Sequence, residues 1–182
     1  MYIEKKGIIN MINVRNGIFE TNSSSTHAMV VAAAPARVVP TEVYFGICEF
    51  GWEWDMLYTI SEKAAYLYTS ALCIYGKSNE QAIKNKRTAA LAIFCINCFF
   101  EQHEWYKDTD WLDNGNIDHC GEDQHKEWVD LMLNNPDDLV RFLFNSDSYI
   151  VTGNDNCDEF EAEEFNQKMH PNYAATVYYK GN

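Results

Sequence analysis

Two features of this 182-residue sequence predict an α+β fold. Strand-like apolar runs lie towards both ends, and the middle repeats its apolar residues at helical spacing. The expected architecture is one small sheet, mixed or antiparallel, made from N- and C-terminal strands. A helical layer with a long central helix covers it. The length suits a single domain over 1–182, large enough to bury a core without disulfide or metal staples.

The elements follow in order. Ile8 to Arg15 reads as a strand, and Asn16-Gly17 as a hairpin turn, since both turn positions need positive φ. Ile18-Phe19-Glu20 starts the returning strand, and the polar run Thr21–Thr26 breaks it. Ala28 to Ala33 resumes strand character, with Pro35 and Pro40 bounding the next loop. Glu42 to Phe50 is another strand, rich in β-branched and aromatic residues. Ser61 is placed to cap a helix, with Glu62 near its positive end. Ala64, Leu67, Tyr68, Ala71, Leu72 and Tyr75 follow at helical spacing, and Gly76 stops it.

Ser78-Asn79-Glu80-Gln81 has a capping-box pattern and opens a long helix to about Glu104. Its later half, Leu91 to Ile96, is apolar all round, which predicts that this helix is the buried central one. Residues 106–121 are polar and turn-rich, with Asn114-Gly115 and Gly121. Glu122 to Leu133 reads as a helix. Pro136 starts another, with Asn135 as cap and Leu139, Val140, Leu143 and Phe144 as apolar face. Ser148 to Thr152, ended by Gly153, and Ala175 to Tyr179 are the last strands.

Composition narrows the class. Apolar residues at 47% and charged residues at 23% are ordinary values, so the chain reads as globular. Cys48, Cys73, Cys95, Cys98, Cys120 and Cys157 are scattered, and no signal peptide is read before them. A reducing cytoplasm is therefore expected rather than a disulfide framework. The longest apolar run, Leu91 to Phe100, is too short to span a bilayer and contains Asn97. The net charge of −13 is unevenly placed: residues 101–165 hold 19 acidic side chains against Lys107, Lys126 and Arg141. That block repels nucleic acid and attracts basic surfaces or cations, or simply forms a solvated acidic face.

The segment least explained by packing runs from Arg15 through Asn16-Gly17-Ile18-Phe19-Glu20-Thr21-Asn22-Ser23-Ser24-Ser25-Thr26 to His27. Its hydroxyls could cradle a phosphate, and Ser24 or Ser25 beside His27 could serve nucleophilic catalysis. The phosphate-loop pattern is missing, since no glycine lets the backbone close in and no lysine follows. Neither is there a Gly-x-Ser-x-Gly elbow. The alternative is that Asn22 and the hydroxyls satisfy backbone groups at a bulge or crossover. Arg15, Ser24-Ser25-Thr26 and Glu161-Ala162-Glu163 follow the order of an ADP-ribosyltransferase site, but Arg15 lies too near the serines to hold the intervening structure.

Metal binding has weak candidates in His119, Cys120 and His125, whose spacing matches no standard zinc pattern. His103 adds a further imidazole. Cys95-x-x-Cys98 falls in the predicted apolar helix, where cysteines act as small hydrophobes. Asp155, Asp158, Glu159 and Glu161 lack EF-hand spacing. No cofactor is implied. Lys84, Lys86 and Arg87 form the one basic cluster, enough for a weak, salt-sensitive touch on DNA but not for a full phosphate footprint.

The stretch from Val14 to His27 resembles the N-terminal signature of a family of small proteins from Firmicutes and their phages and mobile elements. No catalytic residues come with that resemblance. In length, acidity and richness in Asn, Cys and Tyr the chain is also similar to phage-type anti-CRISPR proteins of the class acting on type II-A effectors. That likeness implies a non-enzymatic inhibitor that binds a basic RNA-guided DNA nuclease and blocks cleavage. Its acidic surface would then include Asp108, Asp110, Trp111, Asp113, Asp118, Glu122 and Asp123, with Trp105 and Trp128 as further aromatic anchors. The other expectation is a small phage transferase or hydrolase acting on a nucleotide or phosphorylated group through Ser23–His27, with Ser24, Ser25 and His27 in the site.

Overall fold

A computed structural model describes residues 25–51, 55–100, 115–117, 123–154 and 176–181. In chain order the elements are β1 (Ser25–Ala32), β2 (Glu42–Phe45), β3 (Glu49–Phe50), β4 (Asp55–Leu57), α1 (Ile60–Tyr75), α2 (Glu80–Ala92), β5 (Asn97–Phe100), β6 (Asn116–Ile117), α3 (Asp123–Asn134), α4 (Pro136–Phe144), β7 (Tyr149–Asn154) and β8 (Thr176–Gly181). A short 3-10 turn, Lys77–Asn79, joins α1 to α2. The α+β class expected from the sequence holds. The strand over Ile8–Arg15 and the Asn16-Gly17 hairpin lie outside the described residues.

The main sheet is antiparallel, in the order β4-β7-β1-β8. The late strands β7 and β8 flank β1, so the two ends of the described chain meet in one sheet. Strand alternation sends His27, Met29 and Val31 to one face and Val30 to the other. Met29 and Val31 join the large core, while Val30 packs with Tyr149 and Val151 against the half-buried Met56. Two short parallel ribbons sit apart from this sheet, β2 with β5 and β3 with β6. The predicted strand Glu42–Phe50 is thus two strands with different partners.

The buried central helix is α1, not the later one. Every residue from Lys63 to Leu72 is buried. Thr59 rather than Ser61 caps α1: its hydroxyl accepts from Glu62 N at 3.3 Å, and Glu62 Oε2 accepts from Thr59 N at 2.9 Å. This reciprocal pair satisfies donors that the first turn would leave open. Gly76 ends α1 at φ 78°, as its position predicts.

The helix expected to reach Glu104 stops at Ala92. Cys95 follows at φ 60°, a left-handed turn that no helix continues through. Asn97–Phe100 then pairs with β2 instead. The apolar run Leu91–Phe100 is apolar because it serves a helix end, a turn and a strand in succession. Cys95 is therefore exposed in a turn and Cys98 half-buried on β5, and both are free thiols rather than residues of a buried helix.

Helices α3 and α4 form where expected. Asn135 Oδ1 accepts from Asp137 N at 3.1 Å and Asp138 N at 3.3 Å, with Pro136 in the first turn. Leu139, Leu143 and Phe142 bury completely in the core.

A polar knot ties these parts together. Lys63 is 1% exposed, and its Nζ donates to Asn145 O at 3.0 Å and Ser148 O at 2.9 Å. Ser148 Oγ donates to Arg141 O and accepts from Ala32 N, both at 2.9 Å. Asn145 Nδ2 reaches Ala34 O at 2.9 Å, and Arg141 Nη1 reaches Ala33 O at 3.2 Å. Central helix, α4, the α4–β7 turn and the end of β1 thus share one hydrogen-bond network.

Two substitutions test this packing. Lys63→Met keeps the stem but removes the hydrogen bonds to Asn145 O and Ser148 O, and is expected to lower unfolding free energy by about 2 kcal/mol or more in urea titration. Gly115 has φ +53°, and an added Cβ would run into Ile47 Cγ2 and lie 2.9 Å from Cys48 O. Gly115→Ala should destabilise by roughly 1–3 kcal/mol, seen as a lower melting temperature.

Candidate functional site

The candidate residues of the sequence divide sharply once folded. Ser25 opens β1 opposite Asn154, and His27 sits two residues on, opposite Thr152 in β7 and Gly181 in β8. Ser25–His27 is therefore part of the central strand and not a loop; Ser24 lies outside the described residues. His27 is fully buried. Its ring lies 5.9 Å from Tyr66 of α1 and 6.1 Å from His125 of α3, centroid to centroid.

His125 completes an aromatic box. It stacks on Tyr66 at 5.9 Å and meets Trp128 edge-on at 5.9 Å. Trp128 in turn contacts Phe142 at 5.2 Å, and Phe50 closes on Tyr66 from β3 at 5.2 Å. His125 and Trp128 come together because they are three apart on one helix, so both face the same way. Among the described residues His125 Nε2 and Trp128 Nε1 have no hydrogen-bond partner. Burial, with His27 adding to it, pushes the His125 imidazolium down to about pKa 4. His125 is therefore neutral near pH 7.

Such a pair is poorly placed for acid–base work on a substrate in solution. His125, a weak metal candidate in the sequence, has aromatic rings as its neighbours. Among the described residues no three His, Cys, Asp or Glu side chains cluster to hold an ion. His119 and Cys120 lie outside the described residues.

The basic cluster is split. Arg87, expected at the surface, is fully buried on α2. Its Nη1 donates to Ala64 O at 2.6 Å and its guanidinium carbon lies 4.6 Å from the Phe45 ring centroid. Burial pulls it down to about pKa 10. An arginine so enclosed cannot reach DNA phosphate. Lys84 pairs with Glu80 at 2.7 Å and lies 3.7 Å from the Phe100 ring centroid. Lys86 donates to Asn134 Oδ1 at 2.8 Å.

Of the expected acidic surface, Asp108, Asp110, Trp111, Asp113, Asp118 and Glu122 lie outside the described residues, and Asp123 begins α3. The described part of that segment carries outward Glu127 and Asp137, while Asp138 is drawn in by its ion pair with Arg141. Trp128 is not a surface anchor: it is fully buried.

One surface feature had no sequence signal. Tyr44 of β2 and Phe99 of β5 stack at 5.1 Å on the outer face of their ribbon, 38% and 43% exposed. They lie 55 positions apart in sequence, and only the parallel register of β2 and β5 makes them neighbours.

No protein family, curated protein or solved structure matches this chain. No helix among the described residues is long and apolar enough to cross a membrane.

The buried His125 makes stability pH-dependent. Its folded pKa lies below the usual 6.5, so the unfolded chain binds the extra proton first as pH falls. Stability from this group is complete above pH 6.5 and is lost towards pH 4, by about 3 kcal/mol. Urea unfolding at pH 7, 5.5 and 4.5 should show the drop, and His125→Phe should remove at least half of it.

Proposed function

We propose that this protein is a non-enzymatic inhibitor that binds a basic nucleic-acid-handling protein, most specifically a type II RNA-guided DNA nuclease, and blocks DNA cleavage. The observation that carries the reading is the charge: 19 acidic against 3 basic side chains in residues 101–165. The internal use of cations sharpens it. Of the basic side chains described within that segment, Arg141 is paired with Asp138, which leaves Lys126 facing outward, as Glu127 and Asp137 also do.

An effector nuclease of this kind holds its duplexes in positive channels. Carboxylates presented at phosphate positions compete for those channels, with fast, salt-sensitive association. The resemblance to type II-A anti-CRISPR proteins names the target; the charge supplies the physical means. The burial of His27 favours this reading over a small phage transferase or hydrolase working through Ser24, Ser25 and His27, because a core imidazole has no access to a nucleotide in solution.

The test is a quadruple variant, Asp108→Asn, Asp110→Asn, Asp113→Asn and Asp118→Asn, titrated against a type II-A nuclease. Wild-type inhibition should saturate near one equivalent, and its affinity should fall as salt rises. The variant should bind at least 10-fold more weakly, mainly through a slower on-rate. Unchanged binding would count heavily against the proposal. Inhibition at trace amounts, abolished by Ser25→Ala in a normally folded protein, would favour the enzyme instead.

A further inference from the structure

A second acidic stretch lies outside 101–165. Between Arg37 and Lys63 the chain carries Glu42, Glu49, Glu53, Asp55 and Glu62 and no lysine or arginine. Lys63 itself is turned inward on Asn145 O and Ser148 O, with Glu62 near enough to raise its pKa. The same stretch forms most of an open cavity of about 140 Å³ lined by Tyr44, Phe45, Gly46, Cys48, Phe50, Ser61, Glu62 and Ala65. That volume is far below the roughly 300–1,000 Å³ of sites for drug-sized ligands. It is the size of one side chain.

The walls have a definite chemistry. Tyr44 joins the cavity to the exposed Tyr44–Phe99 stack. Glu42 Oε2 accepts from Tyr44 Oη at 2.9 Å, which puts a carboxylate on the rim of that stack. Glu62 is the charged residue of the lining. The first turn of α1 also faces the cavity, and its positive end favours an anion there. The Glu62 carboxylate already holds that end, accepting from Thr59 N at 2.9 Å and Tyr58 N at 3.2 Å. Glu62 in the lining and Glu42 at the Tyr44 hydroxyl disfavour a further anion and favour a cation, and the exposed Tyr44 and Phe99 rings add aromatic surface next to Glu42.

We infer that this cavity and the Tyr44–Phe99 stack form a docking pocket for an arginine side chain of a basic protein partner. A planar guanidinium stacks on the aromatic faces and donates to carboxylates at the rim, which a compact ammonium does less well. The inference rests on the proposed function for the partner being basic, and it gives that partner an aromatic anchor point beside the diffuse charge of residues 101–165.

The pocket is tested first without the nuclease. N-acetyl-arginine methylamide is titrated into the isotope-labelled protein and followed by amide NMR at Gly46, Cys48 and Ser61. Saturable shifts at millimolar probe are expected, at least threefold weaker in Glu42→Gln and absent in Tyr44→Leu with Phe99→Leu. Both aromatics are more than a third exposed, so circular dichroism should show that double variant folded. No shift at 20 mM probe, or equal shifts from N-acetyl-leucine methylamide, overturns the inference. The double variant is then titrated against the type II-A nuclease, where at least a 10-fold loss of affinity is expected. Undiminished affinity in a preparation whose quadruple aspartate variant binds poorly overturns the pocket and leaves the acidic-surface reading intact. A wild-type protein that ignores the nuclease overturns that reading, while the arginine titration still decides the pocket.

Discussion

Lys63 is the group on which the arrangement of this protein depends. Its ammonium is enclosed between the central helix and the α4–β7 turn, and it donates to the carbonyls of Asn145 and Ser148, joining Ser148 N on the first of them. Burial lowers its pKa to about 8, partly offset by Asp147 and Glu62. The cost of enclosing a cation is offset by hydrogen bonds made to charge, which are stronger than neutral ones. The return is positional. Ser148 receives the end of β1 through Ala32 N while its carbonyl is held by Lys63, so helix, turn and strand are fixed against one another at a single point. Because β1 lies between β7 and β8, fixing its end also sets the sheet against the helices.

The interior uses its polar side chains for architecture. Lys63, Arg87, His27 and His125 are all almost wholly buried, and each would stand out in the sequence as a candidate for chemistry. Lys63 and Arg87 point at backbone carbonyls, and the histidines at aromatic rings. With those groups enclosed, the charged side chains exposed among the described residues include Glu42, Asp55, Glu127 and Asp137, and also Arg37, Lys77, Lys86 and Lys126. That separation gives a physical reason to look for function at the surface. Lys63 and Arg87 are withdrawn inside, whereas Lys84 and Arg141 each cancel a carboxylate, Glu80 and Asp138.

Helix termini were legible where the signal was local. Gly76 as a stop and Asn135-Pro136 as a start act within one turn of chain, and the structure keeps both. Ser61 was displaced by Thr59 because the capping box needs its hydroxyl three residues before Glu62, a spacing that Ser61 does not have. The apolar run Leu91–Phe100 misled for a different reason. Periodicity cannot tell a helix buried all round from a helix end followed by an inner strand. What decided between them was β2, an element 55 positions earlier that offered Asn97–Phe100 a partner.

The sequence by itself determined the α+β class, the extent of α3 and α4, the late strands and the concentration of negative charge, because each depends on neighbours a few residues apart. It also marked Ser25–His27 as unusual. Only the tertiary structure decided that His27 belongs to the central strand and the core, that Arg87 is no surface cation, and that Tyr44 and Phe99 share one exposed face. Those outcomes depend on which strands pair and which helix lies at the centre. Pairing and burial are set by the whole chain at once, since a side chain faces water or core according to what its distant neighbours leave open.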